Sequence, residues 1–199
     1  MWARLLPVLC LVPACAPVPR PLEGLADRTV QLAGTGTRSL GELLGATATL
    51  LVSLDPECPV TQLYAPVLDS LARALPAQGV QVVGFHPSPF TDAGAVGAFM
   101  EAVLPGLPHV VDTDCGLGRA LQCRVMPEVF LIDARGRLRY RGAIDDRVVR
   151  AGRKKPQAAR HHLNDALRAV LAGGRVPRAY VPAMGCIVEC DTEWDDARP

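Results

Sequence analysis

Cys58 is the residue whose type and place are best suited to chemistry. It lies in Asp55-Pro56-Glu57-Cys58-Pro59, directly after an apolar run. Pro59 suits the first position of a helix, where its missing N–H has no cost, so Cys58 falls at the helix cap. A cysteine there meets unpaired backbone N–H groups and the positive end of the helix dipole. Both favour the thiolate, which is the reactive form. A free cysteine has a pKa of about 8.5, so only about 3% is ionised at pH 7. Lowering that pKa by about 2 units stabilises the anion by roughly 2.7 kcal/mol and makes it the major form. Asp55 and Glu57 oppose the shift, because like charge disfavours the thiolate. Thr61, one turn on, could donate its hydroxyl to the sulfur. The alternative is an inert cysteine packed as a small hydrophobe. A place at a strand end beside a helix cap argues against that.

The other cysteines frame this one. The chain carries seven, at positions 10, 15, 58, 115, 123, 186 and 190. No Cys-x-x-Cys doublet occurs, which removes a zinc ribbon, and nothing calls for a metal or a cofactor. An oxidising compartment explains the number. Cys115 and Cys123 are read as a structural disulfide or as two separate thiols. Cys186 and Cys190 could close a short loop. Setting aside Cys10 and Cys15, five cysteines remain, and an odd count leaves one unpaired. Cys58 is that one if 115 pairs with 123 and 186 with 190.

The N-terminus points to the same compartment. Met1 to Arg4 is a short basic stretch, Leu5 to Ala14 is apolar apart from prolines, and no acidic residue precedes Glu23. This reads as a secretory signal, too short for a membrane span of roughly 20 apolar residues. Leu11-Val12-Pro13-Ala14-Cys15 also resembles a bacterial lipoprotein signal, which makes Cys15 a candidate lipidation site and membrane tether. Ordinary cleavage near Ala14 or Ala16 is the alternative. Pro17 to Pro21 then forms a tether too rich in proline to pack.

The elements that must position Cys58 follow from the patterning. Val30 to Leu32 and Ser39 to Leu43 flank a Gly-Thr turn and predict a short hairpin. Ala48 to Leu54 is apolar on both faces, as a central strand is. Val60, Leu63, Tyr64, Val67, Leu68, Leu71 and Leu75 keep helical spacing until Pro76. Gln81 to Phe85 predicts a second buried strand. Val96, Phe99, Met100 and Val103 mark a helix starting near Thr91 or Asp92. His109 to Val111 reads as a strand and Asp114 to Leu121 as a short helix. Glu128 to Asp133 and Leu138 to Arg141 flank Ala134-Arg135-Gly136 as a hairpin. A last helix around Leu163 to Leu171 is closed by Gly173-Gly174. From Arg175 onward no period is visible. The alternation of strands and helices predicts an α/β fold with a mixed central sheet flanked by helices. The division expected is a signal and tether at 1–21, one domain at 22–174 and a cysteine-containing tail at 175–199.

Three features now coincide. A cysteine caps a helix after the first core strand, Pro66 stands eight residues on, and Pro127 precedes a later strand in Val125-Met126-Pro127-Glu128. This pattern resembles the thioredoxin superfamily from about Leu25 to Ala172. The resemblance implies a three-layer thioredoxin-like fold in which a cis-proline loop at Pro127 faces the sulfur. Within it the chain is most similar to the redoxin branch of peroxiredoxin-like bacterial proteins (alkyl hydroperoxide reductase and thiol-specific antioxidant). The shared stretches are Glu57-Cys58-Pro59-Val60, Tyr64-Ala65-Pro66, Pro127 to Asp133, Tyr140 to Asp146, and Gly185-Cys186. The last makes Cys186 the candidate partner thiol for Cys58.

The departures narrow the chemistry. Thr61 stands where thioredoxins carry a second cysteine, so a dithiol swap at the helix start is ruled out. Asp55 stands where peroxiredoxins place a threonine. Cys58 and Thr61 match the Cys-x-x-Thr of glutathione peroxidases, but the only tryptophans are Trp2 and Trp194, and no Trp-Asn pair completes such a site. Gln62 occupies the second position of a Cys-x-x-x-Cys copper-delivery motif. The expected function is a thiol-disulfide oxidoreductase with Cys58, Thr61, Pro127 and Cys186 as its site. A peroxidase is the second reading and a non-catalytic binding module the third. The partners implied are a disulfide-bearing protein or a peroxide as substrate, with an external thiol as reductant. The place implied is extracytoplasmic, in a bacterial periplasm or cell envelope.

Composition fits one domain. The chain has 199 residues, 49% hydrophobic and 21% charged, with a formal net charge of +1. With 5% aromatic residues it has neither the charge nor the stacking surface of a nucleic-acid binder. His86 reads as a loop histidine after the second strand, and His161 and His162 as surface groups on the last helix. Arg147 to Lys155 reads as a solvated basic loop, and Asp145 and Asp146 as turn-capping groups.

Overall fold

The computed structural model describes residues 22–190. Cys15, the tether and the signal segment lie outside them. The elements run β1 (Thr29–Leu32), β2 (Gly36–Ser39), β3 (Ala48–Ser53), α1 (Pro59–Ala74), β4 (Val80–Pro87), α2 (Ala93–Val103), β5 (His109–Asp112) and α3 (Gly116–Leu121). They continue with β6 (Val125–Met126), β7 (Val129–Asp133), β8 (Leu138–Gly142), β9 (Val148–Arg150), β10 (Arg153–Lys154), α4 (His162–Leu171), β11 (Tyr180–Val181) and β12 (Cys186–Ile187).

Eight strands form one mixed sheet in the order β11-β8-β7-β3-β4-β5-β1-β2. The apolar run ATLLVS becomes its centre: β3 lies parallel to β4 and antiparallel to β7, and all six of its residues are buried. Side chains alternate across a strand, so β3 feeds two cores. Leu50 and Val52 pack with Tyr64 and Leu68 of α1, Val96 and Met100 of α2, and Leu163 and Leu167 of α4. Leu51 faces the other way, toward Leu117 and Leu121 of α3, Phe85, Phe130, Cys115, Cys123 and the late residues Val188 and Cys190. The result is a thioredoxin-like α/β fold with its sheet between helices. On the second face, among the described residues, the cover is α3, the 3-10 turn at Leu40–Leu43 and irregular chain.

Three local expectations are corrected. The second strand of the first hairpin is Gly36–Ser39, not Ser39 to Leu43. Ser39 ends it because its hydroxyl accepts the Gly41 N–H while Glu42 accepts the Ser39 N–H, a capping box that starts a 3-10 turn. Arg147 to Lys155 contains the β9–β10 hairpin, and Arg147 is mostly buried against Asp145. The stretch after Arg175 supplies β11, an edge strand parallel to β8, and β12, which pairs antiparallel with β6. Two-residue strands are too short to show a period.

Candidate active site

Cys58 is the N-cap of α1, with Pro59 in the first turn, and no side chain caps the helix. The open amides and dipole of that end are left to the sulfur. The Asp55 carboxylate accepts the Glu57 N–H (2.9 Å), and its carbonyl accepts the Cys58 N–H (3.1 Å). The cap is therefore presented on a tight turn. Thr61, fully buried, accepts the Asp55 N–H on its hydroxyl at 3.4 Å. It braces that turn.

The Met126–Pro127 peptide bond is cis. The Met126 carbonyl oxygen lies 3.3 Å from Cys58 Sγ. Ser53, at the end of β3, holds this loop in place. Its hydroxyl donates to the Val125 carbonyl (2.9 Å) and accepts the Glu128 N–H (2.8 Å). Behind the loop, Arg141 Nε donates to the buried Glu128 carboxylate at 2.7 Å, and the Arg124 N–H reaches its other oxygen at 3.3 Å. Burial raises the Glu128 carboxyl above the ordinary range, against the pull of Arg141.

Across the loop the tail closes the site. Cys58 and Cys186 are joined by a disulfide with a Cα–Cα separation of 6.1 Å. Cys186 stands opposite Met126 in the β12–β6 pair, and the Val188 N–H donates to the Arg124 carbonyl (3.0 Å). Cys58 is 1% exposed beneath this strand, whereas Cys186 is half-buried. A second disulfide joins Cys115 to Cys190, with a Cα–Cα separation of 6.0 Å.

These pairings correct the arrangement in which 115 bonds to 123, 186 bonds to 190 and Cys58 is left over. Helix α3 lies between Cys115 and Cys123, and Cys115 is bonded instead to Cys190. Cys186 is bonded to Cys58 and Cys190 to Cys115, so the 186–190 loop does not form. The unpaired cysteine among the described residues is Cys123. It is buried, its thiol donates weakly to the Val125 carbonyl (3.5 Å), and burial with the Glu128 charge nearby pushes its pKa far up. It is an inert thiol.

Two further clusters escape a reading of the sequence alone. Tyr64 donates to Asp145 Oδ1 (2.5 Å), Arg147 Nε donates to Asp145 Oδ2 (2.8 Å), and the guanidinium lies over the Tyr64 ring at 4.5 Å. Asp145 is thus half of a buried ion pair, while Asp146 caps the Ala159 and Arg160 amides. A cleft of about 340 Å³ beside Pro127 is lined by Tyr64, Ile144, Val148, Val181 and Met184. A larger one, about 650 Å³, lies along α4 and includes neither Cys58 nor Pro127. His86 is no loop residue: it lies within β4, is buried, and faces His109 at 3.4 Å. Burial lowers the pKa of His86 to about 3 and that of His109 to about 4. Among the described residues no group of three or more metal-ligating side chains is gathered, and no helix is long and apolar enough to cross a membrane.

A helix-capping cysteine set against a cis-proline loop, on a sheet of this order, defines a thiol site on a thioredoxin fold. The chain belongs to the AhpC/TSA family, whose model matches residues 8–141. No curated protein matches it. Among solved structures it is similar to a hypothetical protein from Sinorhizobium meliloti, at 27% identity over 89% of this chain and 96% of the other, with a TM-score of 0.75. It shares its fold with a secreted Mycobacterium tuberculosis disulfide oxidoreductase homologous to E. coli DsbE (20% identity, 76% of this chain, 98% of that one, TM-score 0.55). It shares it also with the bacterioferritin comigratory protein of Xanthomonas campestris (16% identity, 78% and 97%, TM-score 0.57).

Proposed function

We propose that this protein is a thiol-disulfide oxidoreductase with Cys58 as nucleophile and Cys186 as the resolving thiol. The observation that carries this is the Cys58–Cys186 bond across the Met126–Pro127 loop. The Cys58 thiolate attacks one sulfur of a substrate disulfide, and the other leaves as a thiolate. The Cys186 thiolate then attacks Cys58 Sγ, closing the internal bond and releasing the reduced substrate. An external dithiol reopens the bond and is itself oxidised. Thr61, Ser53 and Pro127 keep the cap and the loop in register and take no part in the electron transfer.

A second reading keeps the same pair and changes the oxidant. Cys58 is almost wholly enclosed, which favours a small oxidant, and the Xanthomonas neighbour is described for alkyl peroxide reduction. Peroxide would convert the Cys58 thiolate to a sulfenic acid, and Cys186 would condense with it, releasing water. Wild type and Cys58→Ser, compared for disulfide reduction and for peroxide consumption, separate the two. Absence of both activities in wild type under several reductants sinks both. The reading includes an extracytoplasmic place. Two disulfides support it, as does the secreted Mycobacterium neighbour. Lipid anchoring through Cys15 is its finer part, and mass analysis of the mature N-terminus checks it.

A further inference from the structure

The tail that carries Cys186 is fastened on both sides of it. Upstream, β11 lies against β8 at Gly142, where a Cβ would stand 1.7 Å from the Val181 carbonyl oxygen. Downstream, Cys190 is bonded to Cys115. Cys115 is a firm seat: its N–H donates to the Asp112 carbonyl (3.0 Å), and the Asp112 carboxylate accepts the Leu117 and Gly118 amides of α3. Between these points, once the Cys58–Cys186 bond is opened, the strand is held by the two-residue β12–β6 pair, the Val188–Arg124 bond and the packing of Val188 in the core. Pairing that short is marginal by itself. The two disulfides also differ in access. Cys115 and Cys190 are 3% and 7% exposed, whereas Cys186 is half-buried beside Ile187, which is 77% exposed. A reductant therefore meets the Cys58–Cys186 bond first.

We propose that the Cys115–Cys190 disulfide is a positioning brace, which keeps Cys186 over Cys58 after their own bond is opened. The inference rests on the functional reading above. With the brace intact, Cys186 stays within four residues of a fixed point, and its attack on Cys58 is an intramolecular step at high effective concentration. Without it, the chain beyond Val181 becomes a free end that frays from β6. Cys115 and Cys190 touch no reacting atom and act through the placement of Cys186.

The test is equilibration with reduced and oxidised glutathione, reading by mass the Cys58–Cys186 bridge against the Cys58–glutathione mixed disulfide. In this exchange the Cys186 thiolate displaces glutathione thiolate from Cys58, so one disulfide replaces another. The variants are Cys115→Ala with Cys190→Ala, and a chain with Gly-Ser inserted after Val188, which slackens the tether while keeping the brace. Each should lower the effective concentration about tenfold or more. In a Cys186→Ser background, loss of the brace should speed alkylation of Cys58, because the strand that covers it frays; an unchanged rate counts against the inference. A folded double variant that closes as well as wild type overturns the inference. If the double variant does not fold, wild-type closure in the insertion variant overturns it alone. A wild type that forms no Cys58–Cys186 bridge defeats the functional reading and the inference together.

Discussion

Gly185 passes so close to Met126 that a Cβ on it would stand 2.0 Å from the Met126 carbonyl oxygen and 3.1 Å from the Pro127 nitrogen. These are backbone atoms of the loop that contacts the Cys58 sulfur, so they cannot yield without moving the site. Gly185→Ala should push the tail away from β6 and take Cys186 with it. The expected outcome is slower closure of the Cys58–Cys186 bond, followed by thiol titration after an oxidant pulse. Overpacking at such a contact costs about 1–3 kcal/mol, so the fold should survive. Unchanged closure would show that the glycine does not govern docking of the tail.

Glu128→Gln should be among the more destabilising single changes near the site. It leaves the Arg141 guanidinium beside a neutral amide in a place from which water is largely excluded. Removing one partner of a buried pair typically costs about 3–5 kcal/mol. Urea unfolding should register a loss of that order. A loss below about 1 kcal/mol would mean that water reaches the pair.

Asp145 joins α1 to the loop after β8 through Tyr64 and Arg147. Asp145→Asn strands the buried Arg147 charge and should cost about 3 kcal/mol. Tyr64→Phe removes one hydrogen bond to a charged group and should cost about 1.5–3 kcal/mol. In a double-mutant cycle the two changes should be non-additive, because they share one carboxylate. Strict additivity would argue that the contacts act independently.

Acid should weaken the fold through His86 and His109. Their folded pKa values, about 3 and about 4, lie below the ordinary histidine value of 6.5. Above 6.5 both are neutral in either state and contribute no slope. Below it the unfolded chain takes up protons that the folded protein refuses, so stability falls as pH drops toward 4. Each histidine contributes up to about 1.4 kcal/mol per pH unit in that window. The raised Glu128 carboxyl acts in the opposite direction, so the measurement is a difference. His109→Gln should flatten the pH dependence of denaturant midpoints between pH 6.5 and 4.5 relative to wild type. An equal slope in both proteins would be evidence against the neutral pair.

Cys58 at a helix cap was legible from residue types alone. Pro59 suits the first turn of a helix, Pro76 ends one, and ATLLVS is too evenly apolar for an edge strand. Those are local constraints, set by φ angles, missing donors and side-chain period, and they act within a few residues. The two-faced core followed for the same reason. Pairing of the cysteines did not. Cys58 and Cys186 are 128 residues apart, and Cys115 and Cys190 are 75 apart. Whether two sulfurs bond depends on whether their Cα atoms come within about 7 Å, and only the packed chain determines that. Spacing left the near pairs, 115 with 123 and 186 with 190, open as alternatives, and the structure forms neither. The His86–His109 contact arises likewise from the β4–β5 register, which sets His86 beside Val111 and Gly84 beside His109. The sequence alone thus determined that Cys58 opens a helix behind a central strand. The resemblance offered Cys186 as its partner, and only the tertiary structure decided between that bond and a 186–190 loop, because the choice depends on distances between parts of the chain that no local rule connects.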